Sequence, residues 1–292
     1  MKRFLIITVV TLIILSATFG FLVAVATKLA LFDVFLALTP SSPLLPKTNI
    51  LILGLDDAFG HRSDTIMVLH TNPEKKEACL ISIPRDTLAV LPDRGLDKVN
   101  HAYAYGGIEL ARKTVENLLD IEIPYFMVIS IAGVTNLIDE LGGITMDVEK
   151  RMHYVDYAGN LHIDLQPGVQ KLSGKQVLDY MRYRQDGGDF SRISRQQKFL
   201  RALAGEMLQR DNLLRSPKLF FTLLSYVNSN LNPRQTLGLS LGLRAAFELG
   251  RVYTVTIPGE DMVVDGIYYW KPDQAKMKNI VKKYIYGERL IS

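Results

Sequence analysis

Cysteine is almost absent from this sequence, which contains Cys79 and no other. One cysteine cannot form an internal disulfide, and it excludes a zinc site built from several thiolates. Because Cys79 lies in the apolar run from Ala78 to Ile81, we predict that it is a small residue of the buried core. The sequence also lacks internal repeats, low-complexity tracts and a helix-turn-helix pattern, so neither a repeat architecture nor DNA binding through that motif is indicated.

A strong excess of one charge is also missing. The 34 lysine and arginine residues face 30 aspartate and glutamate residues, which gives a formal net charge of +4 and a pI near 9.0. This mild balance suits nucleic acid, anionic lipid and phosphate-bearing substrates equally, so it does not choose among these partners. With 292 residues, 48% of them hydrophobic, the chain is long enough for one large globular domain, or two small ones, and an anchor.

A long uncharged stretch follows Lys2 and Arg3. Residues 4–27 carry no charge, and 24 helical residues at about 1.5 Å each exceed the roughly 30 Å of bilayer hydrocarbon, so we predict a transmembrane helix. The two basic residues favour a cytoplasmic N-terminus and send the rest of the chain across the membrane. A cleaved signal peptide is the alternative, because Ala24-Val25-Ala26 resembles a cleavage site. Signal peptides usually have a shorter apolar region of about 7 to 15 residues, which favours the uncleaved anchor.

The remaining chain reads as one domain behind a linker that ends at Pro46. We divide the sequence into an anchor with a short cytoplasmic tip (1–28), a linker (29–46) and an extracytoplasmic domain (47–292). Apolar runs rich in β-branched residues predict strands at Asn49–Gly54, Thr65–His70, Cys79–Ile83, Phe126–Ser130 and Val252–Ile257. Helical periodicity predicts helices at Ile108–Leu119, Val134–Leu141, Leu172–Tyr180, Ser191–Leu208, Lys218–Val227, Pro233–Leu249 and Pro272–Tyr284. This alternation predicts an α/β fold in which a mixed central sheet is flanked by helices, behind a single N-terminal transmembrane helix.

Polar residues lie at the ends of three of the predicted strands. Asp56 comes after the first strand and Asp64 opens the second, and two carboxylates at adjacent strand ends suit Mg²⁺ or Mn²⁺. Taken alone, these residues are better interpreted as an ordinary turn at Asp56 and Asp57 and a strand cap at Asp64, because aspartate is common in turns. Arg85 ends the third strand; with Asp86 beside it, a surface ion pair is the simplest interpretation. Lys98 and Asn100 by themselves read as loop residues.

Four arginines are concentrated between Tyr180 and Gln197. Arg182 and Arg184 are two residues apart, so in an extended segment both point to one face. In the helix that begins near Ser191, the apolar stripe leads backwards to Arg192, Arg195 and Gln196, which predicts that these side chains face the core. Buried arginines need carboxylates or a bound anion, and guanidinium groups beside a helix N-terminus suit a pyrophosphate. The alternative is a solvated amphipathic helix with surface arginines.

Taken together, the motifs resemble the LytR-CpsA-Psr family of cell-wall ligases over about residues 49–210. The matching segments, in chain order, are Asn49-Ile50-Leu51-Ile52-Leu53-Gly54-Leu55-Asp56, Arg62-Ser63-Asp64-Thr65, Ser82-Ile83-Pro84-Arg85-Asp86, Lys98-Val99-Asn100 with Ala102-Tyr103, Leu141-Gly142-Gly143-Ile144, Leu172-Ser173-Gly174-Lys175-Gln176, Arg182-Tyr183-Arg184 and Asp189-Phe190-Ser191-Arg192-Ile193-Ser194-Arg195-Gln196-Gln197. One departure is Ala58, where the family often has an arginine.

The resemblance implies a phosphotransferase at the cell membrane. It implies that the enzyme moves a glycopolymer from a polyprenyl-pyrophosphate carrier to peptidoglycan, forms a phosphodiester link and releases polyprenyl phosphate. An apolar pocket would hold the polyprenyl tail, and nucleic acid would not be a partner. By motif position, the pyrophosphate would contact Arg85, Lys98, Asn100, Arg182, Arg184, Arg192, Arg195 and Gln196, with Arg85, Arg184 and Arg192 also catalytic. Asp189 would act near the acceptor, and Asp56 and Asp64 would hold Mg²⁺, or Mn²⁺ in its place.

Three other functions remain open on the residues alone. The same pocket would serve a non-catalytic sensor of the wall that binds polyprenyl lipid. A lipid pyrophosphatase would result if water replaced the acceptor. A transcription regulator is the third alternative, suggested by the arginine clusters; a domain outside the membrane cannot reach the chromosome, so topology discriminates it from the other functions.

Overall fold

A computed structural model describes residues 44–55, 63–157, 161–183, 188–208 and 226–288. Within these ranges, some side chains are not described: those of Asp64, Ile131, Asp189, Phe190, Ala204, Met207 and Leu208. The strands are β1 (Thr48–Leu55), β2 (Ser63–Asn72), β3 (Glu77–Ile83), β4 (Leu88–Leu91), β5 (Gly95–Lys98), β6 (Tyr125–Ser130), β7 (Ile144–Val148), β8 (Met152–Asp156), β9 (Leu161–Leu165), β10 (Gly168–Leu172), β11 (Val227–Ser229), β12 (Val252–Thr256), β13 (Gly259–Val264) and β14 (Ile267–Pro272). The helices are α1 (His101–Leu119), α2 (Ile131–Glu140), α3 (Gly174–Arg182), α4 (Gly188–Leu208), α5 (Pro233–Glu248) and α6 (Gln274–Val281), which continues as a π-helical turn (Lys282–Tyr286).

The described residues fall into two compact units. The smaller comprises residues 44–46 and 231–241, and the larger comprises the rest from residue 47 onwards. In the smaller unit Gly238 allows close packing, because a Cβ at that position would lie 2.7 Å from the carbonyl carbon of Leu44. The larger unit contains the central sheet and every site residue that can be described.

The central sheet has six strands in the order β11-β6-β1-β2-β3-β12. Neighbours β1 and β6, and β3 and β12, are parallel, whereas β1 and β2, β2 and β3, and β6 and β11 are antiparallel. The prediction of an α/β fold with a mixed sheet and helices is therefore confirmed. The predicted transmembrane helix lies outside the described residues, and among the helices that are described none is both long and apolar enough to span a bilayer.

One face of the sheet forms the first hydrophobic core. Alternate strand residues point to this face and pack against α1, α6 and the π-helical turn. Its buried members include Leu51, Leu53, Ile66, Val68, Cys79, Ile81, Ala111, Val115, Met277, Val281 and Ile285. Cys79 is thus a core residue, as predicted, and burial raises the pKa of its thiol to about 12. We call this side of the sheet the α1 face.

A second core lies among α2, α3, α4 and the ribbons β7–β10 and β8–β9. It contains Ile144, Met146, Val148, Met152, Ile163, Leu165, Val177, Tyr180 and Phe199. The Tyr180 ring is fully buried, and its hydroxyl donates to Glu149 at 2.8 Å. Phe199 belongs to α4, so this helix contributes to the second core while its other side meets the central sheet.

The structure corrects three predictions about local structure. Arg182 lies in the last turn of α3 rather than in an extended segment, because the capping box of Ser173 and Gln176 starts a helix that continues past Tyr180. The extended conformation begins only at Tyr183. Val227 is the first residue of β11 rather than the end of a helix. Lys98, interpreted as a loop residue, ends β5.

Candidate functional site

The sheet brings the predicted site segments to one edge. Strands β1, β3, β6 and β12 all end there, and β2, which is antiparallel to β1 and β3, begins there. We call it the carboxyl edge. Asp56 directly follows Leu55 in the sequence but is outside the described residues; Asp64 lies in β2 beside Ser63, the residue that pairs with Leu55. Arg85 follows the end of β3 by two residues.

Helix α4 is fixed to the other face of the sheet, which we call the α4 face. Gln196 Nε2 donates to Thr65 Oγ1 at 2.9 Å, and Gln197 Nε2 donates to Ser82 Oγ at 2.9 Å. One turn later, Arg201 donates to the hydroxyl of Thr254, which is farther from the carboxyl edge. The helix therefore descends from this edge along the sheet.

The direction of α4 places its first turns at the carboxyl edge. Arg192 precedes Gln196 by four residues, so it lies about 6 Å farther towards this edge at 1.5 Å per residue. Arg192 and Arg195 are both buried, each with 4% of its surface exposed. The prediction that these arginines face the interior is confirmed, and the alternative of a solvated surface helix is wrong for them.

Arg195 also holds two helices together. Its guanidinium donates to the carbonyl of Tyr183 and to Ser191 Oγ at 3.3 Å, and it lies 5.6 Å from the centre of the Tyr183 ring. Tyr183 follows Arg182, so the contact brings the end of α3, with the partly buried Arg182, next to the first turns of α4. Arg184 lies outside the described residues, and only the backbone of Asp189 is placed, in the first turn of α4.

A second cationic group follows β3. Asp86 lies between two cations: its Oδ2 is 3.4 Å from Arg85 Nε, and its Oδ1 accepts from Lys98 Nζ at 2.8 Å. The charges of these three side chains alone sum to one positive unit. The backbone N–H of Asn100 donates to the carbonyl of Arg85 at 3.2 Å, so the segment after β5 is fixed against the end of β3. These contacts join Arg85, Lys98 and Asn100 in one group.

Asn100 carries an unsatisfied acceptor. Its side chain is buried, with 5% exposed, and its Oδ1 has no hydrogen-bond partner within the described part of the chain. A buried amide oxygen without a partner costs free energy, so such an atom beside a polar site is suited to a ligand or water donor. The adjacent His101 has a structural role: its Nδ1 lies 2.9 Å from Asp97. Burial disfavours the Asp97 carboxylate, but hydrogen bonds from His101 and the Lys98 backbone outweigh it and lower its pKa.

Three residues at the site were not predicted as functional. Asp86 was interpreted as half of a surface ion pair, yet it positions both Arg85 and Lys98. Gln197 fixes α4 to β3, and its place next to Gln196 in one motif was the available signal. The Tyr269 ring lies 5.5 Å from Lys98 Nζ, and nothing in the sequence indicated this contact across 171 residues.

The metal site can be examined only in part. No group of three histidine, cysteine, aspartate or glutamate side chains converges on a point among the described residues, which leave out the side chains of Asp56 and Asp64. The pairing of Leu55 with Ser63 brings their neighbourhood together at the carboxyl edge. The predicted divalent cation at Asp56 and Asp64 depends on side chains outside the described residues, so it stays a prediction.

The comparison with known proteins agrees with the resemblance seen in the sequence motifs. A model of the LytR_cpsA_psr family matches residues 44–285, which is most of the chain. The chain belongs to the LytR-CpsA-Psr family. The match extends beyond the motif region predicted from sequence and includes β11 to α6, for which no motif could be assigned.

Relatives in this family carry two kinds of name. The regulatory protein MsrR of Staphylococcus aureus is 38% identical over 73% of this chain; the chain spans 64% of the length of MsrR. The polyisoprenyl-teichoic acid–peptidoglycan teichoic acid transferase TagU of Enterococcus faecalis is 31% identical over 80% of this chain and 77% of its own length. The structure of TagT, a B. subtilis protein, bound to LIIa-WTA has a TM-score of 0.68 and 28% identity, over 85% of this chain and 94% of TagT.

Proposed function

We propose that this protein is a membrane-anchored phosphotransferase that transfers a glycopolymer from a polyprenyl-pyrophosphate carrier to peptidoglycan outside the cytoplasm. The observation that carries the proposal is the pair of buried arginines, Arg192 and Arg195, at the edge of the sheet where Arg85 and Lys98 also lie. The name of the transferase TagU and the glycopolymer-bound structure of TagT support a transferase role for a family member with this site.

The cationic groups supply what phosphoryl transfer needs. Arg85, Lys98, Arg182, Arg184 and Arg192 would neutralise the pyrophosphate oxygens, and guanidinium forks match these oxygens in pairs. Arg195 would add its charge while it keeps α3 and α4 together. The unsatisfied Asn100 Oδ1 would accept a hydrogen bond from the substrate, and Gln196 would hold α4 in place through Thr65.

The reaction needs no protein nucleophile. An acceptor sugar hydroxyl attacks the glycan-side phosphorus in line, a new P–O bond forms, and the bond to the bridging oxygen breaks. Polyprenyl phosphate leaves with that bonding electron pair. Asp189, in the first turn of α4, would orient the hydroxyl and take its proton. Asp56 and Asp64 would hold Mg²⁺, or Mn²⁺, which when bound adds positive charge at the pyrophosphate.

An apolar strip on the α4 face suits the lipid tail. Gly54 approaches Thr65 closely, since a Cβ at Gly54 would lie 2.9 Å from Thr65 Cβ. Beyond Gly54 and Thr65, the paired residues Ile52 and Met67, and then Ile50 and Leu69, lead away from the carboxyl edge. These residues belong to neither described core. We place the polyprenyl chain along this strip, below the pyrophosphate.

We further propose that the chain is a single-pass protein of the cell membrane, with a cytoplasmic N-terminus and an extracytoplasmic catalytic domain. The support is the uncharged segment 4–27 after Lys2 and Arg3. A reporter that is active only outside the cytoplasm, fused after Ser292, should be active. Activity of a cytoplasmic reporter at the same position would reject this topology and favour a regulator that meets nucleic acid.

The function can be tested with matched arginine variants of the purified full chain. With lipid-linked glycopolymer and peptidoglycan present, the wild type should release polyprenyl phosphate, and Arg192→Gln should lower affinity for the lipid pyrophosphate about ten- to a hundredfold. Arg201→Gln removes the same charge from the same helix away from the edge, so it should change affinity less than about threefold. Equal effects of both variants would remove the basis of the proposal.

The same assay distinguishes the transferase from a pyrophosphatase and from a lipid-binding sensor. A pyrophosphatase would release polyprenyl phosphate at full rate without peptidoglycan. A sensor would bind the lipid and release nothing. Release that depends on the acceptor is the result that the proposed transferase requires.

A further inference from the structure

The opposite end of the central sheet carries a basic groove. At this end, which we call the amino edge, β1 begins, β2 ends and β3 begins. A groove of about 360 Å³ opens there, and the lysines that line it are Lys47, Lys75 and Lys283. All three are exposed, and Glu77 is the acidic residue among the described residues that line the groove. Its charged lining residues therefore carry a net charge of two positive units.

Positive charge is concentrated on this groove rather than spread along the edge. The adjacent groove shares Lys47 and Tyr286 with it but is also lined by Glu116, Asp120 and Glu122. The acidic residues are thus collected on one side and the lysines on the other. Such a separation gives the basic side a local attraction for anions that the mild net charge of the chain does not reveal.

Tyrosines accompany the lysines. Tyr253 and Tyr286 line the groove and are 42% and 53% exposed. The Tyr253 ring lies 5.7 Å from the Tyr284 ring, and Lys283 Nζ lies 5.0 Å above the Tyr284 ring. These contacts fix the orientation of the group before any ligand binds. Tyrosine is the amphipathic side chain that collects at the boundary between lipid and water, where its ring meets apolar groups and its hydroxyl stays wet.

We propose that this basic face, formed by Lys47, Lys75, Tyr253, Lys283 and Tyr286, lies against the anionic headgroups of the membrane. The inference rests on the proposed anchor: Lys47 directly follows the linker 29–46 that joins this unit to segment 4–27. The amino edge is therefore the end of the sheet at which the tether is attached. Lysines are attracted to an anionic membrane surface, and tyrosines collect at the level of the lipid headgroups, so both kinds of side chain fit this position.

The orientation has a consequence for the reaction. The eight residues of β1 span about 26 Å at 3.3 Å each, so the carboxyl edge stands about that far from the headgroups. The arginines then face away from the membrane, towards the peptidoglycan acceptor. The apolar strip of the α4 face connects the two edges, so a lipid tail that enters from the membrane side reaches the pyrophosphate site along it.

The test measures which edge is near the lipid in the full chain. Asn117→Cys places a fluorescent label on an exposed, uncharged position beside the basic face, and Ser194→Cys places one at an exposed position of α4 near the carboxyl edge. The native Cys79 is buried with a raised pKa, so it reacts poorly. Each labelled protein is reconstituted into vesicles of phosphatidylglycerol and phosphatidylcholine, or of phosphatidylcholine alone, with an energy acceptor on the lipid headgroup.

In the anionic vesicles, the label at position 117 should transfer energy more efficiently than the label at position 194. Each lysine should favour the apposed state about fivefold, so Lys75→Gln with Lys283→Gln should weaken it about twenty-five-fold and lower the transfer from position 117. High salt and vesicles of phosphatidylcholine alone should do the same. The control pair Lys171→Gln and Lys175→Gln changes the net charge equally and should have no effect.

Equal transfer from the two labels, or transfer unaffected by lipid charge and by the lysine pair, would overturn the proposed contact. Release of polyprenyl phosphate in the same vesicles is measured separately. Normal turnover with equal transfer would reject the orientation and leave the transferase standing. A chain that does not insert would reject the anchor and, with it, this inference.

Discussion

Replacement of Asp86 by asparagine should damage turnover while it leaves substrate binding intact. The substitution keeps the shape of the side chain and removes the charge that lies between Arg85 and Lys98. The contact with Lys98 Nζ, at 2.8 Å and with both side chains less than a fifth exposed, is a charge-assisted hydrogen bond. Without it, the Lys98 ammonium group is no longer held beside residue 86.

The expected magnitudes follow from these contacts. Loss of the charge-assisted hydrogen bond should lower the free energy of unfolding by about 1.5 to 3 kcal/mol. Misplacement of Lys98 should lower kcat about ten- to a hundredfold, which corresponds to roughly 1.4 to 2.7 kcal/mol of lost transition-state stabilisation. Affinity for the pyrophosphate lipid should not fall, because the substitution removes one negative charge from beside the two cations.

The assay compares lipid affinity, kcat and the urea midpoint of Asp86→Asn with those of Asp93→Asn. Asp93 lies in the turn between β4 and β5 at a backbone φ of 60°, a conformation that asparagine tolerates, so this control removes one charge at little structural cost. The control should behave like the wild type. If Asp86→Asn lost affinity and kept kcat, the carboxylate would be part of the binding site rather than a support for the cations.

Three further predictions concern stability, each measured by urea unfolding. Gly174→Ala should lower the free energy of unfolding by about 1 to 3 kcal/mol, because its Cβ would lie 2.2 Å from the Thr135 carbonyl oxygen. The control Gly205→Ala meets only ordinary contacts and should not destabilise the protein. Equal urea midpoints for the two variants would contradict this prediction. Arg195→Lys should lower the free energy of unfolding by about 1 to 3 kcal/mol, because the hydrogen bond to the Tyr183 carbonyl at the end of α3 is lost. An unchanged urea midpoint would show that Arg195 does not join the two helices. Burial first, and then the charge of Lys47, lowers the pKa of His70 to about 4 from 6.5, so the unfolded chain binds more protons between these values. Stability should therefore fall by up to about 3 kcal/mol as the pH drops from 6.5 to 4, and His70→Gln should flatten this dependence; the same slope in the variant would refute it.

The sequence predicted the central sheet better than the rest of the fold. The apolar runs of β1, β2, β3, β6 and β12 all form strands at the predicted positions, because their hydrophobic pattern is strong. Strands β1, β2 and β3 are largely buried, whereas most residues of β6 and β12 are only half-buried. The ribbons β4–β5, β7–β10, β8–β9 and β13–β14 were missed because each has short strands with interspersed polar residues. Ribbons β7–β10 and β8–β9 pack in the second core, β4–β5 packs on α1, and β14 contacts β4; no local sequence pattern reports these long-range contacts.

At the site, helical periodicity correctly placed Arg192 and Arg195 in the interior, because the apolar stripe of α4 continues into its first turns. The prediction of an extended segment at Arg182 was wrong, because α3, which starts at the capping box of Ser173 and Gln176, continues to Arg182. The role of Asp86 was out of reach, because it depends on Lys98 in another strand. Gln196 meets Thr65 across 131 residues of sequence, so its anchoring role also needed the fold.

The central claim is that the glycan-side phosphorus moves to peptidoglycan. It is tested most directly with a lipid pyrophosphate that carries a radioactive label on that phosphorus, supplied with peptidoglycan to the purified full chain. We predict that the label appears in peptidoglycan as a phosphodiester and that the released lipid is unlabelled polyprenyl monophosphate. Label that stays with the lipid, or that appears as a free phosphomonoester of the glycopolymer, would contradict the proposed transfer.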